Sequence, residues 1–298
     1  MKIWIRPDAL TGGQKKILQP GALYSIKRLS EQDIEFNSER TELSREQLIL
    51  LENERIELSS FTEKEADAHI LASSDLTGLE LRSGEQLIAS GNEWIDLCLS
   101  YLFPVRTAQI ERKTAETDIK VVVNLDGSGK SDIQTGLNFF DHMLDQVARH
   151  GLLDLTIHCK GDLRVDEHHT IEDTAIALGQ ALHLALQSDK SGIQRYGFVL
   201  PMDEARSTVA IDLSNRPFLR WEVPLKREYI GDFPTEMAEH FFYTLAMNVK
   251  ATLHVNASGK NEHHIIESIF KCFAKSLRFA ISRNERIKNI LPSTKGML

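Results

Sequence analysis

The feature that most constrains this chain is a short pattern that occurs twice, 95 residues apart. Two adjacent histidines are followed, three residues after the second, by a glutamate, in His168-His169-Thr170-Ile171-Glu172 and in His263-His264-Ile265-Ile266-Glu267. Apolar residues continue at helical spacing after each glutamate, which predicts that each copy opens a helix. Imidazoles and a carboxylate on one helical turn are a set of transition-metal ligands. The repetition therefore predicts a duplicated metal site.

For one copy alone, a solvated first helical turn is an equally good interpretation, because acidic residues are favoured there. Two copies in matching order favour metal binding. A lone histidine precedes each copy, His142 in the first half and His240 in the second, and each follows an acidic residue. Adjacent side chains project about 100° apart on a helix, so neighbouring histidines do not easily share one ion. We therefore expect each helix to serve two metals, with the sites crossing between halves or between subunits.

Residues 109–298 show the same order of elements twice, in repeats 109–195 and 196–298. Alternating apolar residues predict strands, and 3.6-residue spacing predicts helices. The predicted strands are 119–126 and 154–159 in the first repeat, and 208–213, 218–223 and 251–255 in the second. The predicted helices are 139–148 and one from 168, then 236–245 and one from 263. Strands and helices of this kind form layers, so we predict an α+β fold in which two helices cover one face of each sheet.

The composition changes near residue 108, which predicts two domains, 1–108 and 109–298. Ten of the eleven histidines lie in the second part. The net charge of −8 argues against nucleic acid as a partner. No apolar run reaches the roughly 18 residues of a membrane span, and the N-terminus has no signal-peptide pattern. With three cysteines that lack C-x-x-C spacing, we expect a cytoplasmic protein with reduced thiols.

Further motifs carry a resemblance to a known family. They are Phe139–Gln146, Glu167–Thr174, Arg195–Gly197, Pro201–Ala205, Asp212–Pro217, Glu239–Phe242, His263–Glu267 and Pro292–Gly296. In these segments, and along all of 109–298, the chain resembles imidazoleglycerol-phosphate dehydratases of histidine biosynthesis. The resemblance implies conversion of imidazole-glycerol phosphate to imidazole-acetol phosphate and water. It also implies two Mn²⁺ per active site, at subunit contacts of a 24-subunit homo-oligomer.

The resemblance also assigns roles to individual residues. The implied metal ligands are His142, His168, His169, Glu172, His240, His263, His264 and Glu267. The implied catalytic residues are Glu116, as the acid–base group, with Glu172 and Glu267. The implied substrate-binding residues are Glu116, Gln146, Arg195, Arg216, Lys271, Ser293 and Lys295. The chain departs from the usual family pattern at Asn215, where glycine is usual, and at Thr294, where serine is usual.

The implied reaction explains why metals are needed. The hydrogen that is removed lies on a carbon of the substrate side chain and is not acidic, since no carbonyl adjoins it. A metal on the ring nitrogen lets the ring hold negative charge, after which the adjacent hydroxyl leaves and the enol becomes a ketone. Imidazole and carboxylate ligands without thiolate suit Mn, Fe, Zn or Co. A di-metal hydrolase and a non-catalytic, metal-storing protein are the alternative functions.

Residues 1–108 resemble, more weakly, the haloacid-dehalogenase-type histidinol-phosphate phosphatases that precede the dehydratase in two-function chains. The similar segments are Gln19–Leu23, Ile26–Leu29 and Ile70–Thr77. The Asp-x-Asp pair of such phosphatases is missing, since only Asp8 follows the first apolar segment. We expect a small α/β remnant without phosphatase activity, retained for packing or assembly. A residual phosphatase or an unrelated small domain is the alternative, and the acidic stretch Glu39–Glu57 is expected to be a solvated helix face.

Overall fold

A computed structural model of the chain describes residues 1–12, 17–73, 78–187, 190, 192–283, 286–287 and 290. The chain forms two compact units, Met1–Pro104 and Val105–Leu298. The expected boundary between residues 108 and 109 falls inside the first strand of the second unit. In the described part of the chain, no helix combines the length and the apolar character that a membrane crossing requires. Cys98, Cys159 and Cys272 are all buried and form no disulfide.

The first unit contains a five-stranded sheet. Its elements are β1 Lys2–Ile5, α1 Pro7–Thr11, α2 Ala22–Ser30, β2 Glu35–Ser38, α3 Arg45–Asn53, β3 Ala68–Ala72, β4 Leu79–Ser83, β5 Gln86–Gly91 and α4 Trp94–Leu102. The strand order is β2-β1-β3-β4-β5, with β1 parallel to both neighbours and β4 and β5 antiparallel to the strands they follow. Ile3, Ile5 and Trp94 are fully or almost fully buried in its own core. Three parallel strands flanked by helices are an α/β arrangement, as predicted.

The second unit contains the histidine motifs. Its strands are β6 Thr107–Lys113, β7 Thr117–Asn124, β8 Ser131–Gln134, β9 Asp154–Gly161, β10 Tyr196–Met202, β11 Ala205–Asp212, β12 Phe218–Glu222, β13 Tyr229–Ile230, β14 Phe233–Pro234 and β15 Thr252–Ser258. Its helices are α5 Asn138–Gly151, α6 His168–Gln187, α7 Glu236–Val249 and α8 Glu262–Ala280.

The two main sheets of this unit have the same topology. Their strand orders are β6-β7-β9-β8 and β10-β11-β15-β12. In each sheet, three strands are antiparallel and the fourth pairs in parallel with the strand that precedes the motif helix. Buried positions alternate along β7 and β11, as expected for strands with one covered face. The predicted duplication is therefore present in the fold.

The helices of the two repeats pack on one another. α5 and α6 cover the first sheet, and α7 and α8 cover the second. Across the repeats, α5 packs against α8 and α6 packs against α7. One continuous core, which includes Phe140, Phe241, Phe242, Phe270 and Phe273, joins all four helices. This confirms the predicted α+β class, with the four helices in a layer that the two sheets flank.

Three strands of these sheets were not predicted from the sequence. β6 and β8 are edge strands with largely exposed side chains, so their residues lack the apolar alternation that marks a half-buried strand. β10 is likewise an edge strand, with exposed residues at several positions. Each of them completes a sheet through backbone hydrogen bonds, which do not depend on the side chains.

Candidate metal centre

Both motif helices begin with the same local structure. The Asp166 carboxylate accepts a hydrogen bond from the backbone N–H of His168 at 2.9 Å, and the Asn261 side chain accepts from the N–H of His263 at 3.0 Å. Asp and Asn are preferred at this position because their side chains satisfy N–H groups that have no partner inside the helix. The first histidine of each pair therefore lies in the first turn, and the glutamate follows one turn later on the same face.

The first cluster, which we call cluster 1, consists of His142, His263 and Glu267. Nε2 of His142 lies 3.6 Å from Oε1 of Glu267, and Nε2 of His263 lies 3.1 Å from Oε2. His142 is on α5, whereas the other two residues are on α8. The cluster thus combines the two repeats, and the packing of α5 against α8 brings it together. Gln146, one turn beyond His142 on α5, is buried and reaches Nδ1 of His142 at 3.3 Å.

Cluster 2 consists of His168, Glu172 and His240. Nε2 of His168 lies 3.4 Å from Oε2 of Glu172, and Nε2 of His240 lies 3.2 Å from Oε1. The two imidazole rings are 4.8 Å apart at their centroids. Here α6 of the first repeat contributes two residues and α7 of the second contributes one. Within the described residues, clusters 1 and 2 are the two groups whose ligand atoms all lie within 4.8 Å of one another.

The second histidine of each motif belongs to neither cluster and contacts a different carboxylate. The ring of His169 is turned 82° from that of His168, and the ring of His264 is turned 89° from that of His263. Nδ1 of His169 lies 3.1 Å from the Asp162 carboxylate. Nδ1 of His264 lies 2.8 Å from Oε2 of Glu204.

These carboxylates change the acid–base behaviour of both histidines. The hydrogen bond to Asp162, aided by the nearby negative charge of Glu116, raises the pKa of His169. The hydrogen bond to Glu204 likewise raises the pKa of His264. In the other direction, His264 and then the backbone N–H of Asn261 lower the pKa of Glu204 to about 2. Glu204 is therefore ionised at neutral pH, and a hydrogen bond to it favours a proton on Nδ1 of His264.

Glu267 differs from the other motif glutamate in its surroundings. Its side chain is 8% exposed, against 37% for Glu172. Burial raises the pKa of the Glu267 carboxyl, but the Lys271 ammonium at 2.7 Å, together with His142 and His263, outweighs this effect and lowers it. Lys271 lies one turn after Glu267 on α8, the spacing at which side chains on one helix meet.

The remaining predicted site residues lie in three places. Glu116, in the turn between β6 and β7, is half-exposed, and its Oε1 is 3.7 Å from Nε2 of His169. Arg195 and Arg216 both pair with the Asp212 carboxylate, at 2.8 and 3.2 Å. Ser293 and Lys295 lie outside the described residues. The structure thus brings Glu116 to His169 and Lys271 to cluster 1, and it joins the two arginines through Asp212.

Two cavities adjoin these residues. One of about 410 Å³ lies beside cluster 2 and is lined by His168, Glu236, Met237, Glu239, His240 and Tyr243. Another of about 330 Å³ includes Arg195, Asp212 and His254 among its lining residues. The first has the size of a small-molecule site and places two imidazoles of cluster 2 at its wall.

Sequence reasoning missed the carboxylates that contact the second histidine of each motif. Glu204 lies in the turn between β10 and β11, 60 residues before His264, and no local pattern links the two. The segment Pro201–Ala205, which contains Glu204, shows in its sequence only a resemblance to the dehydratase family. Asp162 follows β9 and lies seven residues before His169, so the excess of acidic residues before the first motif was the available signal.

Known proteins match this chain closely over the second unit. Residues 135–277 match the family model described as imidazoleglycerol-phosphate dehydratase. The imidazoleglycerol-phosphate dehydratase of Cereibacter sphaeroides strain KD131 is 56% identical over 196 residues, which are 65% of this chain and 100% of that protein. This chain belongs to the imidazoleglycerol-phosphate dehydratase family. The activity that gives the family its name is that of a hydro-lyase.

Solved structures give the same result for the fold. The dehydratase from Staphylococcus aureus N315 has a TM-score of 0.55 and 34% identity, over 60% of this chain and 99% of that one. The dehydratase from Pyrococcus furiosus, solved in complex with (S)-C348, has a TM-score of 0.54 and 36% identity, over 63% of this chain and 100% of that one. Both similarities extend over essentially the whole of a solved dehydratase chain.

A bifunctional relative extends the similarity into the first unit. The histidine biosynthesis bifunctional protein of Spirosoma linguale is 52% identical over 226 residues, which are 76% of this chain and 59% of that protein. Because Val105–Leu298 contains 194 residues, at least 32 of the matched residues lie in Met1–Pro104. The chain thus spans about three fifths of the length of this relative.

Proposed function

We propose that the chain catalyses the dehydration of imidazole-glycerol phosphate to imidazole-acetol phosphate in histidine biosynthesis. The observation that carries this proposal is the pair of His₂Glu clusters, each assembled from both repeats, in a unit that spans a complete dehydratase relative. An enzyme that acts on an imidazole ring with two nitrogens has a use for two cation sites. The unit supplies two such clusters from one duplicated motif.

The donor atoms of both clusters fit a divalent metal ion. Nε2 of His240 is buried and has no hydrogen-bond partner among the described residues, although it lies 3.2 Å from Glu172. A buried ring nitrogen without a hydrogen-bond partner costs free energy unless a ligand binds to it. Nitrogen and oxygen donors without sulfur suit Mn²⁺, which we propose as the cofactor, with two ions per active site. When bound, the ions supply positive charge that stabilises negative charge on the substrate ring.

We propose that clusters 1 and 2 each hold one ion and that His169 and His264 complete such sites in neighbouring subunits. Each cluster offers one ligand atom from each of three residues, whereas octahedral ions such as Mn²⁺ take more. His169 and His264 belong to neither cluster of their own chain. This arrangement supports a homo-oligomer, for which we propose 24 subunits. Light scattering of the Mn²⁺-loaded protein tests that number, and a stable monomer would contradict it.

The chain's own residues then bind the substrate and move its proton. Glu116 is half-exposed beside His169, where a carboxylate can accept a proton from the substrate side chain and later return it. Lys271, beside Glu267, is a cation close to cluster 1 that can bind the substrate phosphate. We assign the phosphate also to Arg195, Arg216, Ser293 and Lys295, because guanidinium, ammonium and hydroxyl groups are suitable phosphate donors. We assign Gln146 to the substrate ring beside His142.

The decisive experiment adds imidazole-glycerol phosphate to metal-free protein, with and without Mn²⁺. We expect the ketone product only with metal, and no release of inorganic phosphate. Phosphate release would instead favour a di-metal hydrolase. Binding of Mn²⁺ with no product would favour a metal-storing protein and would reject the proposal. Glu116→Gln, which keeps the shape but loses the base, is expected to abolish turnover while metal binding is retained.

For Met1–Pro104 we propose a phosphatase-like remnant without phosphatase activity, retained as an assembly element. β1 lies between two parallel strands, as in a sheet that would carry a nucleophile at its carboxyl end. The residues at that end are Arg6, Pro7 and Asp8, and Asp8 accepts a hydrogen bond from the N–H of Ala9. Neither cluster of candidate metal ligands found in the described residues lies in this unit. Release of phosphate from histidinol phosphate by the purified chain would contradict the proposal and indicate a residual phosphatase.

A further inference from the structure

Glu204 makes a contact with His264 that determines which ring nitrogen carries the proton. Its Oε2 lies 2.8 Å from Nδ1 of His264. An ionised carboxylate can only accept hydrogen bonds, so in the neutral ring the proton must be on Nδ1. The lone pair of Nε2 is then available to a metal ion. The nearest acid to Nε2, Asp203 at 3.9 Å, is beyond hydrogen-bond distance.

The other oxygen of Glu204 is anchored to the backbone. Oε1 accepts from the N–H of Lys260 at 3.2 Å and from the N–H of Asn261 at 2.7 Å. These two residues immediately precede α8, the helix that carries His264. The carboxylate is therefore fixed in orientation, with one oxygen for the backbone and the other for the imidazole.

The corresponding histidine of the first repeat is held differently. Asp162 follows β9 instead of lying in a hairpin turn, and both of its oxygens face Nδ1 of His169, at 3.2 and 3.1 Å. Either oxygen can therefore accept the proton of Nδ1. The two repeats place a carboxylate behind an equivalent histidine from unrelated positions in the fold.

We propose that Glu204 and Asp162 are positioning residues that keep His264 and His169 in the tautomer whose Nε2 binds metal. This inference rests on the proposed metal-binding function. Partners of this kind orient metal-ligating histidines and set their tautomer, and their loss typically lowers metal affinity about 10- to 100-fold. Because the two carboxylates are anchored differently, the proposal makes opposite predictions for their amide variants.

Glu204→Gln is expected to reverse the tautomer. If the amide oxygen keeps the two backbone hydrogen bonds, the amide NH₂ faces Nδ1 of His264. Nδ1 must then accept, and the proton moves to Nε2, where it blocks the metal. Asp162→Asn is expected to keep the tautomer of His169. Both oxygens of Asp162 face Nδ1, so the asparagine amide can turn its oxygen toward that nitrogen without giving up another described side-chain hydrogen bond.

The test is a Mn²⁺ titration of metal-free protein by calorimetry, with the unfolding midpoint of each variant measured in parallel. We expect Glu204→Gln to weaken the affected sites about 10- to 100-fold and Asp162→Asn to weaken them by less than about threefold. Glu262→Gln is the matched control. The Glu262 carboxylate also accepts from two backbone N–H groups, those of Lys226 and Arg227, but hydrogen-bonds to no histidine among the described contacts. The Mn²⁺ affinity of Glu262→Gln should equal that of the parent.

Each outcome decides the proposal. Equal Mn²⁺ affinity in Glu204→Gln and the parent overturns it, and so do equal losses in Glu204→Gln and Asp162→Asn, which would point to charge alone. Failure of the parent itself to bind Mn²⁺ refutes the proposed function instead. If Glu204→Gln does not fold, long-range ¹H–¹⁵N spectra of the histidine-labelled, metal-free parent still decide. A neutral His264 with its proton on Nδ1 supports the proposal, and one with its proton on Nε2 overturns it.

Discussion

Clusters 1 and 2 share one sequence motif but differ in how their negative charge is balanced. In cluster 1, Glu267 is almost buried and pairs with Lys271 at 2.7 Å. In cluster 2, Glu172 is 37% exposed, and the residue one turn later on α6 is Ile176, which carries no charge. A buried carboxylate is tolerated only when it is paired. Cluster 1 therefore carries its own counter-ion, whereas cluster 2 relies on its histidines, on solvent and on an added cation.

The largest effect is expected from removal of one ligand in either cluster. Both clusters serve one reaction in the proposed function, so His142→Ala and His240→Ala should each lower kcat/KM by at least about 100-fold. Steady-state kinetics at saturating Mn²⁺ measure the loss. His150→Ala, on the same helix as His142 but outside both clusters, is the control and should retain activity. If only one of the two substitutions is harmful, the clusters have separate functions.

The difference in burial predicts a difference in stability without metal. Glu267→Gln leaves the largely buried ammonium of Lys271 without its partner, and we expect it to lower the free energy of unfolding by about 2 kcal/mol, since both groups retain some exposure. Glu172→Gln should change it by less than about 0.5 kcal/mol, as is usual for an exposed position. Urea unfolding in the presence of a chelator measures both. Equal effects would show that the counter-ion at cluster 1 contributes no stability.

The motif made the duplication predictable, because it is local and each copy opens a helix. The contact between Glu267 and Lys271 is local in the same way, because residues four apart on a helix are neighbours. The partner of each motif was not predictable in the same way. His142 joins α8 and His240 joins α6 because α5 packs on α8 and α7 packs on α6, and that pairing depends on the shape of the whole core. Glu204 reaches His264 only because a hairpin turn lies against the start of α8.

Lys271 should also separate the two clusters in their affinity for metal. A cation entering cluster 1 competes with the Lys271 ammonium for Oε1 of Glu267, and a hydrogen bond between charged groups is worth about 1.5–3 kcal/mol. Lys271→Met is therefore expected to strengthen Mn²⁺ binding at cluster 1 about tenfold and to leave cluster 2 unchanged. The KM for the phosphorylated substrate should rise in the same variant. Calorimetric titration that shows the same change at both sites would contradict this interpretation.

The smallest effect is expected at the start of α5, which carries His142. The Asp232 carboxylate, from the second repeat, accepts from the backbone N–H groups of Asn138 and Phe139 at 2.6 and 2.9 Å. α7, which carries His240, has no side-chain hydrogen bond at its first turn from its N-cap residue, Thr235. Asp232→Ala should therefore lower the free energy of unfolding by about 1 kcal/mol and weaken Mn²⁺ binding at cluster 1 more than at cluster 2.

This effect should depend on pH in one direction. Burial raises the pKa of Asp232, but the N–H groups of Phe139 and Asn138 outweigh it and lower the pKa below its ordinary value. A group with a lowered folded pKa stabilises the fold above its unfolded value, about 3.9, and the stabilisation is lost as the pH falls through the folded pKa. Urea unfolding should thus separate Asp232→Ala from the parent at pH 7 and bring the two together in strong acid. A difference that grows in acid would mean that the carboxylate does not cap α5, and it would remove this contrast between the two helices.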